Sequence, residues 1–291
     1  MVLFNIPKPA VPHGGWVVVT GVSGLVGSHV ADQALRVGFR VRRTTRSTEK
    51  NAWVKEHFQS RYGVENFELF EVPDMVAKGA FENVVAENVV DVAINGIKAA
   101  AKESSTKCFI YTSSSFAATF LSPDKRLAIT TKTFNDGAVR KANLPGPEGD
   151  VVYAASKVEA ERRIMAWVKK NKPNLVKALC GADYDVDLKI PAQHFVNVQD
   201  DARLHCVALA HLSLESERIF AVAGPVKSNA IINILRRQFP QKGYKHVLDD
   251  ENDLAVDEPA QRAEELLVEV YGTGFASLEE SVSANTAELV N

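Results

Sequence analysis

The strongest chemical suggestion in the chain comes from two residues four apart, Tyr153 and Lys157. They lie in the run VVYAASK, which opens the helical pattern EAERRIMAWVKK. On a helix this spacing puts both side chains on one face, about a turn apart, so both can reach one ligand. A carbonyl that accepts hydride becomes an alkoxide and needs a proton donor. Tyrosine is a weak acid, with a reference pKa of about 10, and a nearby ammonium stabilises its phenolate. At about 4 Å and an effective dielectric near 20 that attraction is about 4 kcal/mol, up to about three pKa units before desolvation opposes it. Some forty residues earlier a second group of hydroxyls follows an apolar strand, KCFIYT at 107–112, which runs into Ser113, Ser114 and Ser115. A parallel sheet delivers groups at its strand ends into the crevice where ligand binds.

A third element must position a cofactor for this chemistry. Residues 16–20 are an apolar, β-branched run that leads into Gly21, Gly24 and Gly27, and the apolar pattern resumes at Val26, Val30, Ala34 and Leu35 as a helix. Such a strand–turn–helix suits a diphosphate. Gly21 allows the turn, Gly24 allows close backbone approach, and Gly27 allows tight packing of helix on strand. The N–H groups at the helix start then face the anion, so Gly21, Ser23, Gly24, Leu25, Val26 and Gly27 are the expected phosphate-binding residues. The bland alternative is a glycine-rich loop that only packs.

The spacing is Gly21-x-x-Gly24-x-x-Gly27, preceded by Thr20. This T-G-x-x-G-x-x-G form resembles the short-chain dehydrogenase/reductase superfamily, in particular its extended, atypical branch. That branch includes dihydroflavonol-4-reductase-like enzymes, fungal aldehyde and ketone reductases, and nucleotide-sugar epimerases. The order of glycine turn, serine-ended strand and Y-x-x-x-K helix strengthens the resemblance over residues 16–175. YAASKVEAE and the later FVNVQDDARLH are similar to the reductase subgroup more than to the epimerases. The resemblance implies an α/β fold: a Rossmann-type doubly wound parallel sheet with a small C-terminal substrate lobe. It also implies that Ser114, third after Tyr111, is the catalytic serine beside Tyr153 and Lys157, with Lys157 also holding the nicotinamide ribose. Asp74 matches the residue that hydrogen-bonds the adenine amino group, and its neighbour Met75 would pack on the ring. On local grounds alone Asp74 reads equally as a helix N-cap.

The second strand, 39–44, decides the cofactor. An NAD site places a carboxylate near the end of this strand for the ribose hydroxyls. Here Arg42, Arg43, Thr44, Thr45, Arg46 and Ser47 follow one another, with no acid before Glu49. A guanidinium can bind a 2′-phosphate that a carboxylate would repel. The expected cofactor is therefore NADPH, with Arg46 as phosphate ligand and Ser47 or Lys50 in support; a solvated basic strand end is the alternative.

Two stretches are shorter than the resemblance implies. Between the third strand, 67–72, and 107–112, about twenty residues are lacking, including a central strand. The expectation is that 89–94 serves as a substitute strand. A second shortfall falls between Cys180 and Gln193. After it, the resemblance implies a short strand at 195–198. Asp200 or Asp201 reads as the N-cap of a helix over 202–212, with no catalytic role. A strand at 218–222 and helices at 228–239, 259–270 and 277–289 complete the chain. The expected organisation is a cofactor-binding domain over 1–180 and a substrate-lobe region over 181–291 that partly returns to the sheet.

The chain has 291 residues, with 34 Lys and Arg against 36 Asp and Glu and a net charge of −2. That balance argues against a nucleic-acid or membrane surface. Three scattered cysteines and the proline-containing start, MVLFNIPKPAVPHGG, suggest the cytosol. His194, His205 and His211 lack metal-ligand spacing and read as surface or packing residues. The resulting expectation is an NADPH-dependent reductase of an aldehyde or ketone, monomeric or homodimeric. The alternatives are a nucleotide-sugar epimerase or dehydratase using the same triad, and a shortened cofactor-binding protein without turnover.

Overall fold

The computed structural model describes residues 4–21, 24–72, 88–120, 127–173, 176–181, 193–247 and 256–287, with backbone only at 88–89, 176–181 and 256–257. Strand β1 (Trp16–Val19) turns its odd-numbered and even-numbered side chains to opposite faces, and buries Val17 and Val19 on one of them. Helix α1 (Leu25–Arg36) lays Val30, Ala31, Ala34 and Leu35 on that same core, and Gly38 follows it at φ +91°. Strand β2 (Arg40–Thr45) pairs in parallel with β1. Helix α2 (Ala52–Tyr62), which the apolar pattern does not announce, contributes only Val54 and Phe58 to the core. Strand β3 (Phe67–Glu71) closes a three-stranded parallel sheet in the order β1-β2-β3.

Residues 89–94 are not a strand. They belong to helix α3 (Asn88–Lys102). Val90, Ala93 and Ile97 recur at helical spacing and pack on Ala160 and Ile164 of a later helix, and that burial decides an apolar run that periodicity left ambiguous. The expectation of a substitute strand is overturned. Strand β4 (Cys108–Thr112) instead starts a second parallel sheet, order β4-β6-β8. Between them come β5 (Ala128–Ile129), α4 (Asp136–Ala142), α5 (Gly149–Asn171), β6 (Val176–Gly181), β7 (Gln193–Phe195), α6 (Val198–Ala210) and β8 (Glu217–Phe220). Among the described residues no strand pairs β1 with β4, so the strands stand as two separate half-sheets.

A shared core joins the halves. One apolar cluster includes Val17 and Val19 of β1, Ala34 of α1, and Leu204, Cys206 and Val207 of α6, with Cys108 and Ile110 of β4 packed against it. Phe109 and Tyr111 on the other face of β4 lie under α3 and α5. The corresponding face of the first half-sheet has no such cover in the described structure. Val18 is 59% and Phe70 57% exposed, and Arg40 and Arg42 lie over Trp16 at 4.6 and 5.0 Å. Parallel sheets ordinarily bury both faces.

Asn197 caps α6 by accepting from Gln199 N, and the helix begins at Val198. Asp200 and Asp201 are therefore first-turn residues, both buried, rather than caps. Asp200 accepts from Arg203 at 2.9 Å and from Ala276 N at 2.7 Å, which ties α6 to the C-terminal segment. The remaining elements are β9 (Gly224–Val226), antiparallel to β7, then α7 (Ser228–Gln238), β10 (Val256–Asp257), which pairs with β5, α8 (Ala260–Tyr271) and α9 (Leu278–Thr286). Helix α8 returns to the main core through Ala263, Leu266, Leu267 and Val270.

Candidate active site

Helix α5 opens at Gly149, so Tyr153 and Lys157 occupy its second and third turns rather than its start. Val151, Ala154, Ala155 and Val158 bury the helix and fix its rotation. Tyr153 is left 37% exposed at the surface of this region. Lys157 Nζ donates to the Thr112 carbonyl at 3.1 Å and lies 5.3 Å from the Tyr111 ring and 5.6 Å from the Tyr153 ring. The ammonium is thus tied to the end of β4 and sits beside two phenols.

The two phenols differ. Burial, then the charges of Glu161 and Tyr153, push the Tyr111 hydroxyl up from its ordinary value. Its oxygen is buried with no hydrogen-bond partner among the described residues. Tyr111 therefore stays protonated inside, and Tyr153 is the exposed phenol of the two.

Ser114 is extended, at φ −152° and ψ 154°, and caps a short 3-10 turn, Ser115–Ala117, by accepting from Phe116 N at 3.3 Å. The Phe116 ring meets Tyr153 edge-on at 6.4 Å, which brings the Ser114 turn and the Tyr153 helix together. Ser113 faces elsewhere, as strand alternation requires, and donates to buried Glu161. Glu161 also holds Arg218 Nε of β8 at 2.7 Å, and Arg218 donates to the carbonyls of Thr131 and Thr133 at 2.8 and 2.9 Å. Sequence reasoning assigned Glu161 and Arg218 no role. The i, i+4, i+8 spacing of Tyr153, Lys157 and Glu161 could have pointed to Glu161; no local signal points to Arg218.

On the cofactor side, Gly21 has φ +70°, the left-handed conformation its place in the turn requires. Gly24 closes the turn through its N–H to Gly21 O at 2.9 Å and is the N-cap of α1, which has no side-chain cap and no acidic residue in its first turn. That turn contains Leu25, Val26 and Gly27, with Leu25 exposed. Arg46 and Lys50 lie exposed past β2, and neither makes an ion pair among the described residues. The same loop is held by Glu71, which accepts from Thr48 N and Oγ1 at 2.7 and 2.8 Å and whose pKa those bonds lower. Ser23, Asp74 and Met75 lie outside the described residues. An uncapped, acid-free helix start and nearby cations fit a phosphorylated dinucleotide. Among the described residues no His, Cys, Asp and Glu cluster could hold a metal ion, and no helix is long and apolar enough to cross a membrane.

A parallel α/β sheet with a glycine-rich turn after its first strand defines a Rossmann-type protein. The chain belongs to the NAD dependent epimerase/dehydratase family, whose sequence profile matches residues 17–181. It is 30% identical to the ketoreductase adrE of Penicillium rubens, over 95% of this chain and 97% of the relative. It is 28% identical to aldehyde reductase 2 of Sporidiobolus salmonicolor, over 96% and 97%. In fold it is similar to the crystal structure of Gre2 in complex with NADPH from Candida albicans, with a TM-score of 0.76 at 24% identity, over 96% of this chain and 98% of that one. The adrE alignment runs over 331 positions, whereas 95% of 291 residues is about 276, so about 55 positions of that relative have no counterpart here.

Proposed function

We propose that the protein is an NADPH-dependent oxidoreductase that reduces an aldehyde or ketone to an alcohol. The observation that carries this reading is Lys157, anchored on the Thr112 carbonyl beside the rings of Tyr111 and exposed Tyr153. NADPH, when bound, supplies the hydride. The glycine turn, with Arg46 and Lys50, would hold its phosphates. Ser114 donates a hydrogen bond to the substrate oxygen and shares its developing charge. Tyr153 gives that oxygen its phenolic proton, and Lys157 stabilises the phenolate left behind. The names of the relatives, ketoreductase and aldehyde reductase, support this substrate class. The cytosol is the proposed compartment, with the protein acting as a monomer or homodimer; three cysteines scattered along the chain, without paired spacing, support it.

The test is purified protein with NADPH and a panel of aldehydes and ketones, followed by loss of NADPH absorbance. Turnover that Tyr153→Phe abolishes supports the reading; turnover unchanged in that variant rejects the mechanism. A second reading, cofactor binding without turnover, is favoured by the lack, among the described residues, of a strand pairing β1 with β4 and by the roughly 55 positions without counterpart. NADPH binding with no turnover on any carbonyl would select it. Activity only on nucleotide sugars would select the epimerase or dehydratase alternative.

A further inference from the structure

Arg43 is a buried cation without a counter-charge among the described residues. It lies in the middle strand of the first half-sheet, in register with Val19 of β1 and Leu69 of β3, and is 1% exposed. Its Nε and Nη1 are buried with no hydrogen-bond partner, and no carboxylate is within ion-pair distance among the described residues. Its neighbours are satisfied. Arg40 donates to Gly14 O at 2.6 Å, and Arg42 pairs with Glu68 at 2.8 Å, both on the open face beside Trp16. Alternation turns Arg43 to the opposite face with Val41, which packs in the core cluster shared with α1. Burial lowers its pKa, with no charge opposing the shift. A guanidinium keeps its proton regardless, so the charge stays, with the donors on Nε and Nη1 unused.

The location supplies a second, independent observation. Arg43 is level with Val19, two residues before Gly21. Two strand residues span about 6.6 Å, a distance an extended arginine covers. The start of α1 at Gly24 is uncapped and acid-free. Two separate features, a buried cation unpartnered among the described residues and an open helix N-terminus, therefore lie at the same end of the strands.

We propose that Arg43 binds a phosphoryl group of the dinucleotide held at the glycine turn, and that ligand binding supplies the counter-charge it lacks. The proposal rests on the dinucleotide reading above and adds to it a ligand distinct from exposed Arg46. The phosphoryl group belongs either to the diphosphate or to the 2′-phosphate, and the two differ in whether NADH shares the contact.

The experiment compares wild type with Arg43→Met, measuring the melting temperature of the ligand-free protein and the affinities for NADPH and NADH by nucleotide fluorescence. Removing an unpaired buried charge should leave the melting temperature unchanged or raise it, while NADPH affinity falls at least tenfold. An equal loss for NADH assigns the contact to the diphosphate; a loss for NADPH alone assigns it to the 2′-phosphate. Unchanged affinity for both overturns the proposal, whatever the melting temperature does. Should Arg43→Met fail to fold, Arg43→Lys keeps the charge but loses the paired donors. A severalfold weaker NADPH affinity then supports the proposal, and full affinity overturns it. Wild type that binds neither nucleotide defeats the dinucleotide reading as well, whereas wild-type binding that Arg43 variants share defeats this inference alone.

Discussion

The Glu161 carboxylate meets Arg218 Nε at 2.7 Å, with the two side chains 2% and 6% exposed. This pair joins the helix that carries Tyr153 and Lys157 to β8, and through Ser113 to the strand end that carries Ser114. Breaking a buried pair by removing one partner typically costs about 3–5 kcal/mol, because the other charge is left uncompensated. Arg218→Met should therefore destabilise the protein by about that amount. Combining it with Glu161→Leu should recover most of the loss. Urea unfolding of the two single variants and the double variant checks this; strictly additive losses would show that the two groups do not act as a pair.

Tyr153→Phe keeps the ring and its edge contact with Phe116 but removes the proton donor. Turnover should fall by about 10²–10⁴-fold, the usual worth of a positioned acid, while NADPH binding stays as in wild type. Steady-state rates and nucleotide fluorescence separate the two effects.

Arg46→Ala should weaken NADPH and leave NADH alone. A hydrogen bond to a charged group contributes about 1.5–3 kcal/mol, so roughly a tenfold to hundredfold loss is expected. Glu71, at the end of β3 and bonded to that loop through Thr48, works against a bound phosphate. Glu71→Gln should therefore raise NADPH affinity modestly. If the ratio of NADPH to NADH affinity is the same in wild type and Arg46→Ala, Arg46 does not read the 2′-phosphate.

Cys206 is fully buried, and burial pushes its thiol from an ordinary 9.0 up to about 12. Burial also raises Tyr111 and Tyr271. Each of these acids has a folded pKa above its unfolded one. The unfolded state therefore gives up protons first as pH rises, and stability falls from about pH 9 upward. Cys206→Val should flatten part of that fall. Urea midpoints at pH 8 and pH 10 for both proteins measure it, and identical pH dependence would exclude a Cys206 contribution. In the native protein at pH 8, Cys206 should not react with a thiol reagent until the protein unfolds.

Val18 and Phe70 lie on the face of the first half-sheet that has no cover in the described structure. Phe70→Ser should therefore cost within about 0.5 kcal/mol, as exposed substitutions do. A loss of about 3 kcal/mol or more, the range for a buried Phe, would mean that this face is covered in solution. Equilibrium unfolding distinguishes the two.

The local signals in the sequence held where a single element could satisfy them. Gly21 does take a positive φ, Gly24 does start a helix, and Tyr153 and Lys157 do share a helical face, because each depends on neighbours a few residues away. The family assignment followed from these same spacings and is matched over residues 17–181. Helix α2 escaped notice because it buries only Val54 and Phe58 and shows no apolar stripe. The caps of α6 were misplaced because Asp200 and Asp201 have cap chemistry, yet Asn197 is better placed to satisfy the first free N–H groups.

What the sequence determined by itself is therefore the parallel α/β class, the glycine turn and the spacing of the Tyr–Lys pair, all written in periods of two to four residues. Tertiary structure decided the rest. Residues 88–102 are helical because Val90, Ala93 and Ile97 find Ala160 and Ile164, some seventy positions away. The sheet stands as two halves because no described strand enters between β1 and β4, and α6 instead supplies the core that holds them together. Glu161 meets Arg218, and Arg43 lies buried without a counter-charge among the described residues, for the same reason: burial and charge pairing depend on which remote segments meet, and no local pattern of residue types records that.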